Sequence, residues 1–377
     1  MILSRLLVAC TLIAPLSAAD GLKAEVEDLL AKSQAWLAAQ QQDNGAFAPG
    51  AKFSVGITAM AIDALQAAPA YYKADDAKVT KAFEFLWSFQ QADGGIYAVD
   101  EGLGNYGTSL TLMAMASADK LEGERTKRMQ DYLFGLQNTN EASIAVGGIG
   151  YGSRGEGHED LSNTAMALEG LRQSGVPASD PHMQKALAFL ERCQDLSSHN
   201  DQPWAKDSGG AVYSPDETKA DGSWNPKKAQ PGERPSELKP YGSMTYQLIS
   251  SYVALDLRPG DPRLDAALGW IKKHYQFDVN PGIEAGRERQ GLFYYYMAMA
   301  KTFDVLDYTT MDLPDGRTVD WRRDLFEAIK ANATEVDLPD GTKAVVWMNS
   351  ADRWAEGIPN VTAGYLIKAL KRIHQSL

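Results

Sequence analysis

One form of sequence recurs along the chain: an apolar run closing on glutamine, a polar turn carrying glycine, and then a hydrophobic or aromatic residue. "WLAAQQQDNGAF" (36–47) and "LWSFQQADGGIY" (86–97) align at Gln40 and Gln90. "LFGLQNTNEASIAVGGIGY" (133–151) repeats the form at Gln137, with a longer turn before Gly147-Gly148, and "LERCQDLSSHNDQPWAKDSGGAVY" (190–213) repeats it at Gln194. Each unit leads into a second apolar segment: "VGITAMAIDAL" (55–65), "GTSLTLMAMA" (107–116), "LSNTAMALEGL" (161–171) and "GSMTYQLISSYVAL" (242–255). Two degenerate copies follow, with 264–278 preceding 291–303 and 321–333 preceding 361–373. Repeats of this length signal stacked supersecondary units that cannot bury their apolar faces alone.

The first helix of each pair is amphipathic and charged, as in "VTKAFEFLWSF", and belongs on an outer layer. The second is almost uncharged and rich in Ala, Thr, Met and Leu, and belongs inside. Six such pairs predict an all-α chain of twelve helices in two concentric layers. Neither terminal pair has the polar outer face that ends an open solenoid, so the expectation is a closed (α/α)6 toroid. It spans residues 20–377 as one domain, with a long loop over 196–240 carrying Trp204, Tyr213 and Trp224. The glycines are expected to take left-handed backbone just past the outer helix, at Gly94 or Gly95 in the second unit. The glutamine amide is expected to satisfy late helix carbonyls or turn amides.

These repeats resemble those of squalene-hopene cyclases and protein prenyltransferase β subunits, over almost the whole chain after residue 19. "YGSMTY" (241–246), "NPG" (280–282), "QGLFYYY" (290–296) and "DRWAEGIPN" (352–360) are similar to exported members of that repeat group. The resemblance implies the toroid and a central cavity that holds isoprenoid chains. It does not bring the known chemistry with it. The Asp-x-Asp-Asp acid of squalene-type cyclases has no counterpart, since Asp75-Asp76 lies in a polar linker before an outer helix. The prenyltransferase zinc site needs Asp, Cys and His at the rim, but Cys193 stands beside Arg192 near an outer-helix end, and the five histidines show no zinc-ligand spacing. No metal and no cofactor are expected.

A formal net charge of −12 argues against nucleic acid as a partner. Met1–Ala19 reads as a secretory signal: Arg5, an apolar run from Leu6 to Leu16, then Ser17-Ala18-Ala19 before Asp20. The run is too short to span a bilayer, so the expectation is a secreted or periplasmic protein with no stable membrane span. Leu7-Val8-Ala9-Cys10 imitates a lipoprotein cleavage site, but it comes early and is followed by more apolar sequence, so lipid anchoring at Cys10 is the lesser alternative. Cys193 is then the only cysteine left, and stability must come from packing.

Inner helices of a closed ring begin at one face, where Ser54, Tyr106, Asp160, Tyr241, Gln290 and Asn360 enter them. Helix starts gather positive dipole ends and free amides, which favour acidic or polar ligand groups. Two clusters there could carry chemistry. "YGSRGEGHEDLSN" (151–163) holds Arg154, Glu156, His158, Glu159 and Asp160, where a carboxylate beside a histidine could do acid–base work; Asp160 could equally be a simple helix cap. "WMNSADRWAEGIPN" (347–360) sets Asp352, Arg353 and Glu356 between Trp347 and Trp354, an apolar wall with a few oriented polar groups; an Arg–carboxylate pair pinning the loop is the alternative. Tyr294-Tyr295-Tyr296 opens an inner helix, and no more than two of the three can face the lumen. The candidate catalytic residues are therefore Asp160, Glu356, Asp352 and His158. The candidate ligand-binding residues are Tyr241, Trp354, Tyr294, Tyr106, Gln290, Arg353, Trp347 and Asn360.

Three readings of function fit the sequence. The first is an exported toroid whose aromatic cavity binds or converts an isoprenoid-like apolar ligand. The second is a carbohydrate-active enzyme using paired rim carboxylates on a glycan. The third is a non-catalytic interaction protein that uses the rim and the 196–240 loop.

Overall fold

The computed structural model describes residues 18–48, 53–152, 158–230 and 232–377. Cys10, Arg154, Glu156 and most of the leader segment lie outside them. Twelve α-helices are found among the described residues: α1 (Ala18–Ala39), α2 (Ser54–Gln66), α3 (Ala77–Trp87), α4 (Gly104–Ser117), α5 (Gly123–Gly135), α6 (Leu161–Gln173), α7 (Pro181–Arg192), α8 (Gly242–Ala254), α9 (Pro262–Lys273), α10 (Leu292–Val305), α11 (Trp321–Ala331) and α12 (Pro359–Gln375). The even-numbered helices form an inner ring, each packed on the next, and α12 packs on α2 to close it. The odd-numbered helices form the outer layer. None of the described helices is long and apolar enough to cross a membrane.

The two layers differ in burial as their sequences require. On α3 the buried residues are Val79, Ala82, Phe83 and Leu86, one stripe at helical spacing. On α2 every residue except Gly56 is buried. Aspartate caps start four of the outer helices: Asp76, Asp180, Asp261 and Asp320 each accept a backbone N–H from the first turn.

The recurrent turn is a joint between neighbouring units. After α3 the chain bridges back on itself, with Gln90 paired to Ile96, and the same bridge recurs at Gln137–Ile149 and Gln194–Ala211. Gly94 turns with φ 96°, and a Cβ there would stand 2.6 Å from the Arg128 carbonyl oxygen on the next outer helix. Gln137 Nε2 donates to the Gly147 carbonyl at 3.0 Å and to His182 O at 2.9 Å, on the following outer helix. Gln194 does the same to Gly209 and Arg263. In the first unit Gln41, not Gln40, makes these bonds, to Gly45 and Lys78, so the alignment at Gln40 is out by one residue. Gln40 instead bonds back to Trp36 O within its own helix.

Inner-helix threonines explain part of the Thr-rich composition. Thr58, Thr108, Thr164 and Thr245 hydroxyls each accept the backbone N–H of the residue that follows the turn: Phe47, Ile96, Ile149 and Ala211. Four units are thus pinned inward by a threonine, and three of them sideways by Gln41, Gln137 or Gln194.

Two antiparallel hairpins are the only named strands among the described residues, β1 (Met311–Asp312) with β2 (Thr318–Val319) and β3 (Thr334–Asp337) with β4 (Lys343–Val346). Both turn on the same string, "DLPDG" at 312–316 and 337–341, with Gly316 and Gly341 in left-handed backbone. The long connection from α7 to α8 has a small core of its own, Trp204, Val212 and Leu238, flanked by Trp224. Trp204 Nε1 donates to Pro215 O at 2.7 Å.

Candidate functional site

The inner helices start at one end of the ring. Asp160 precedes α6 in extended backbone. Its Oδ1 accepts the Asn163 amide at 2.9 Å, while Oδ2 accepts Asn163 Nδ2 at 2.7 Å and the Tyr213 hydroxyl at 2.8 Å. The cap expected of Asp160 is therefore present, and one of its oxygens also faces a tyrosine from the long loop. Burial pushes its carboxyl up to about 6, against the pull of the Asn163 and Tyr213 hydrogen bonds and of the Lys219 charge. Tyr213 and Tyr151 hydroxyls lie 2.9 Å apart, and the Lys219 ammonium sits 4.6 Å over the Tyr213 ring.

Tyr213 is the site residue that sequence reasoning left in the loop. Its signal was the repeat: with the bridges at Ile149 and Ala211 in register, Tyr151 and Tyr213 occupy the same position. Their carbonyls also do the same work, accepting from Asn105 N at 2.9 Å and Leu161 N at 2.8 Å, at the starts of α4 and α6.

A second set of hydroxyls crosses the ring. Tyr106 on α4 meets Ser162 Oγ on α6 at 2.8 Å, and Ser162 meets the Tyr294 hydroxyl on α10 at 3.0 Å. Helices α4 and α10 are three places apart in a ring of six, so this chain spans the lumen. Gln247 on α8 donates to the Tyr294 hydroxyl at 2.8 Å, and the Tyr294 and Tyr365 rings pack edge to face at 5.6 Å. Tyr106, Tyr151, Tyr213, Tyr294 and Tyr365 are only half-buried, so they present ring surface to open space. Burial raises all five phenols, which remain neutral donors at physiological pH. Of the three consecutive tyrosines only Tyr294 faces inward. Tyr295 and Tyr296 are fully buried, with hydroxyls bonded to Gln276 O and Phe277 O.

The 347–360 segment meets the same end. The Arg353 guanidinium donates to Gln290 Oε1 at 3.0 Å and stacks 4.4 Å over Trp354. Burial and the neighbouring Arg287 charge pull its pKa down, while Tyr241, Glu217 and Tyr213 pull the other way, so these groups share one neighbourhood. Tyr241 is fully buried as the cap residue of α8, and its phenol feels Asp160 and Tyr294. Trp354 is 40% exposed, in left-handed backbone.

The other candidates do not meet the tyrosine hydroxyls. Glu356 is fully buried, but its Oε1 accepts the Tyr294 amide at 2.7 Å and its Oε2 accepts Asn349 Nδ2 at 2.6 Å. It caps the start of α10 from outside that helix, and burial raises it to about 7 even against these bonds and those from the amides of 292 and 293. The Arg353–carboxylate pair weighed for this loop does not form; Arg353 takes Gln290 instead. Asp352 is exposed and accepts Gly357 N at 2.9 Å, closing a turn. Trp347 lies in the core, donating to Ile329 O at 2.9 Å. Asn360 donates to Phe47 O at 2.6 Å and ties the last inner helix to the first turn. His158 is exposed, with φ 73°, and makes no hydrogen bond among the described residues; it is not paired with Asp160.

Of the four candidate acids and bases, Asp160 alone accepts a hydrogen bond from a tyrosine hydroxyl. Its raised pKa and its contact with Tyr213, itself bonded to Tyr151, let it hold or pass a proton near neutral pH. No group of three His, Cys, Asp or Glu side chains that could hold a metal is found among the described residues. Cys193 is buried with its thiol pushed up, which suits a core residue.

No protein-family model and no curated protein matches the sequence. Solved structures do match in shape. Type II terpene cyclase MstE from Scytonema superposes with a TM-score of 0.57 at 12% identity, over 94% of this chain and 99% of that one. A variant of it in complex with geranylgeranyl dihydroxybenzoate, its substrate, gives 0.57 at 12% identity over 95% and 99%. Candida albicans protein geranylgeranyltransferase-I, complexed with GGPP, aligns more loosely, with a TM-score of 0.42 at 11% identity over 81% of this chain and 90% of that one. The chain therefore has the terpenoid cyclase-like α/α toroid fold.

Proposed function

We propose that this chain is an exported single-domain toroid, beginning near residue 20, that binds an isoprenoid-like ligand at the inner-helix N-terminal end of its ring. The observation that carries the reading is the Asp160 carboxyl set against a group of half-buried tyrosines, in a fold shared with a terpene cyclase. Aromatic faces receive apolar chains, and they also stabilise developing positive charge. The stacked Arg353–Trp354 pair offers a polar head group both a cation and a ring. If the bound ligand is converted, Asp160 is the acid that does it, with the neutral Tyr213 hydroxyl donating a hydrogen bond to the carboxylate left behind.

One observation favours a glycan instead: the lumen is crossed by hydroxyls and amides of Tyr106, Ser162, Tyr294 and Gln247. Against it, Glu356 is engaged with the amides of α10, so the second acid that a paired-carboxylate mechanism needs is committed to structure.

Calorimetric titration with geranylgeranyl dihydroxybenzoate, geranylgeraniol and a set of oligosaccharides tests the choice. Saturable binding of a prenyl ligand, weakened at least about tenfold (about 1.4 kcal/mol) in Trp354→Ala, is the expected result. Binding of an oligosaccharide with no response to either prenyl compound overturns it.

A further inference from the structure

A cavity opens at the end of the ring opposite the tyrosines, where α6, α8, α10 and α12 finish. Its volume is about 380 Å³, within the range of small-molecule sites. Basic side chains outnumber acidic ones on its wall: Arg172, Arg258, Lys301 and Arg372 against Glu169 and Asp256. Cations at helix C-termini offset the negative ends of the dipoles, which accounts for basic residues at the rim. It does not account for Lys301, which is buried. Its Nζ donates to Glu169 Oε2 at 2.9 Å and to Gln247 Oε1 at 2.7 Å.

Glu169 is surrounded on its inner side. Burial alone would raise its carboxyl, but Lys301, Lys368 and Arg372 together hold it down, at about 2. Arg372 reaches it at 3.6 Å and also pairs with Asp304. Glu169 is thus shared among three cations, of which Arg372 also has Asp304 and Lys368 has Asp63. A buried ion pair adds little stability over a well-packed apolar one, so a charge cluster facing an open cavity is better explained by a ligand than by folding. Arg172 adds a further cation: its Nη1 donates to the Val176 carbonyl at 2.9 Å, and it has no carboxylate partner among the described residues. The remaining wall is mostly apolar or hydroxylic, with Leu168, Val253, Val305 and Ser250, and carries the Gln173 amide.

We propose that this cavity binds a small organic anion, with a carboxylate or phosphate group held by Arg172 and Arg372 and a short carbon skeleton against Leu168, Val253 and Val305. Guanidinium groups match either oxyanion through paired N–H donors. The site is separate from the tyrosine end, with the Tyr294–Gln247–Lys301 hydrogen bonds between the two.

The test uses the full chain and four probes: succinate, hexanoate, inorganic phosphate and glycerol, titrated by calorimetry at low salt. At least one anion is expected to bind at one site per chain, with affinity falling about tenfold or more in Arg172→Gln, and glycerol is expected to give no signal. Arg172→Gln is half-exposed and removes one backbone hydrogen bond, so it should fold; an unchanged far-ultraviolet spectrum checks this. Carboxylates and phosphate distinguish the two oxyanion sources. Absence of binding by all three anions overturns the proposal. So does anion binding that survives Arg172→Gln but is lost in Arg353→Gln, which places the anion at the tyrosine end.

Discussion

At the residue scale, Gly94 and Asp160 can be tested separately. A Cβ at Gly94 would meet both an unfavourable φ of 96° and the Arg128 carbonyl at 2.6 Å. Gly260 also has positive φ, 101°, but nothing lies within 4 Å of its added Cβ. Gly260→Ala should therefore cost about 1 kcal/mol, the backbone term alone, and Gly94→Ala distinctly more, because backbone cannot step aside. Equal urea midpoints for the two variants would count against the interlocking role given to the turn. For Asp160 the direction follows from its raised pKa, about 6 against an ordinary aspartate value of 3.8. Below pH 3.8 both folded and unfolded states hold the proton. Between these values the folded state keeps a proton that the unfolded state releases, so stability falls as pH rises and stays lower above pH 6. The loss is about 3 kcal/mol. Asp160→Asn removes this titration, so the variant should gain on the wild type by that amount between pH 4 and pH 7. Parallel pH dependences of the two denaturation curves would refute it. Residue identity made Asp160 and Arg353 findable from sequence, because charges before apolar helices stand out. Tyr213 did not stand out, because which loop tyrosine reaches a carboxyl is decided by three-dimensional register.

At the element scale, the start of α10 depends on a residue more than fifty positions later in the chain. Glu356 supplies the oxygen that Gly291, the residue before the helix, cannot. Replacing it by Gln leaves one acceptor where two are used and turns an NH2 toward either Asn349 or the helix amides. The expected cost is about 1–2 kcal/mol, with faster hydrogen exchange at the amides of 292–294 and little change in α12. Exchange that quickens evenly over all inner helices would mean that Glu356 is not a local cap. The long α7–α8 connection gives a second test at this scale. Trp204 belongs to its own small cluster, so Trp204→Ala should expose 196–240 to limited proteolysis while the ring stays intact. Helices and their pairing were legible because a 3.6-residue pattern needs no partner to be seen. The unit register was legible only to within a residue: "AAQQQD" offers three consecutive glutamines, and only the bonds to Gly45 and Lys78 single out Gln41. The β1–β2 and β3–β4 hairpins left a clearer sign, the repeated "DLPDG", in segments whose helical copies are degenerate.

For the whole molecule, closure is the property with the largest consequences. The seam joins the two ends of the chain: Lys368 pairs with Asp63 at 2.5 Å, Asn360 holds Phe47 O, Gln375 holds Ala68 O, and on the outside Lys330 meets Glu25 and His374 meets Glu27. Helix α1 packs more on α12 than on α2, so the first outer helix needs the last inner one. An open solenoid would lose one unit's stability when its last helix is removed, since each repeat touches only its neighbours. A ring loses both faces of the seam. Deleting residues 359–377 would bare the surfaces of α1, α2 and α10 that cover Val361, Leu366, Ile367, Leu370 and Ile373, all buried. At about 1.5–3 kcal/mol for each large apolar side chain, that loss matches or exceeds the about 5–15 kcal/mol by which domains are stable. The truncated chain is therefore expected to lose its cooperative thermal transition and to aggregate or expand on size exclusion, not to persist as a smaller array. A sharp melt, with helix content lowered only by the deleted residues, would show that the seam adds no more than any other neighbour contact. The ring would then be closed in shape but not in energy.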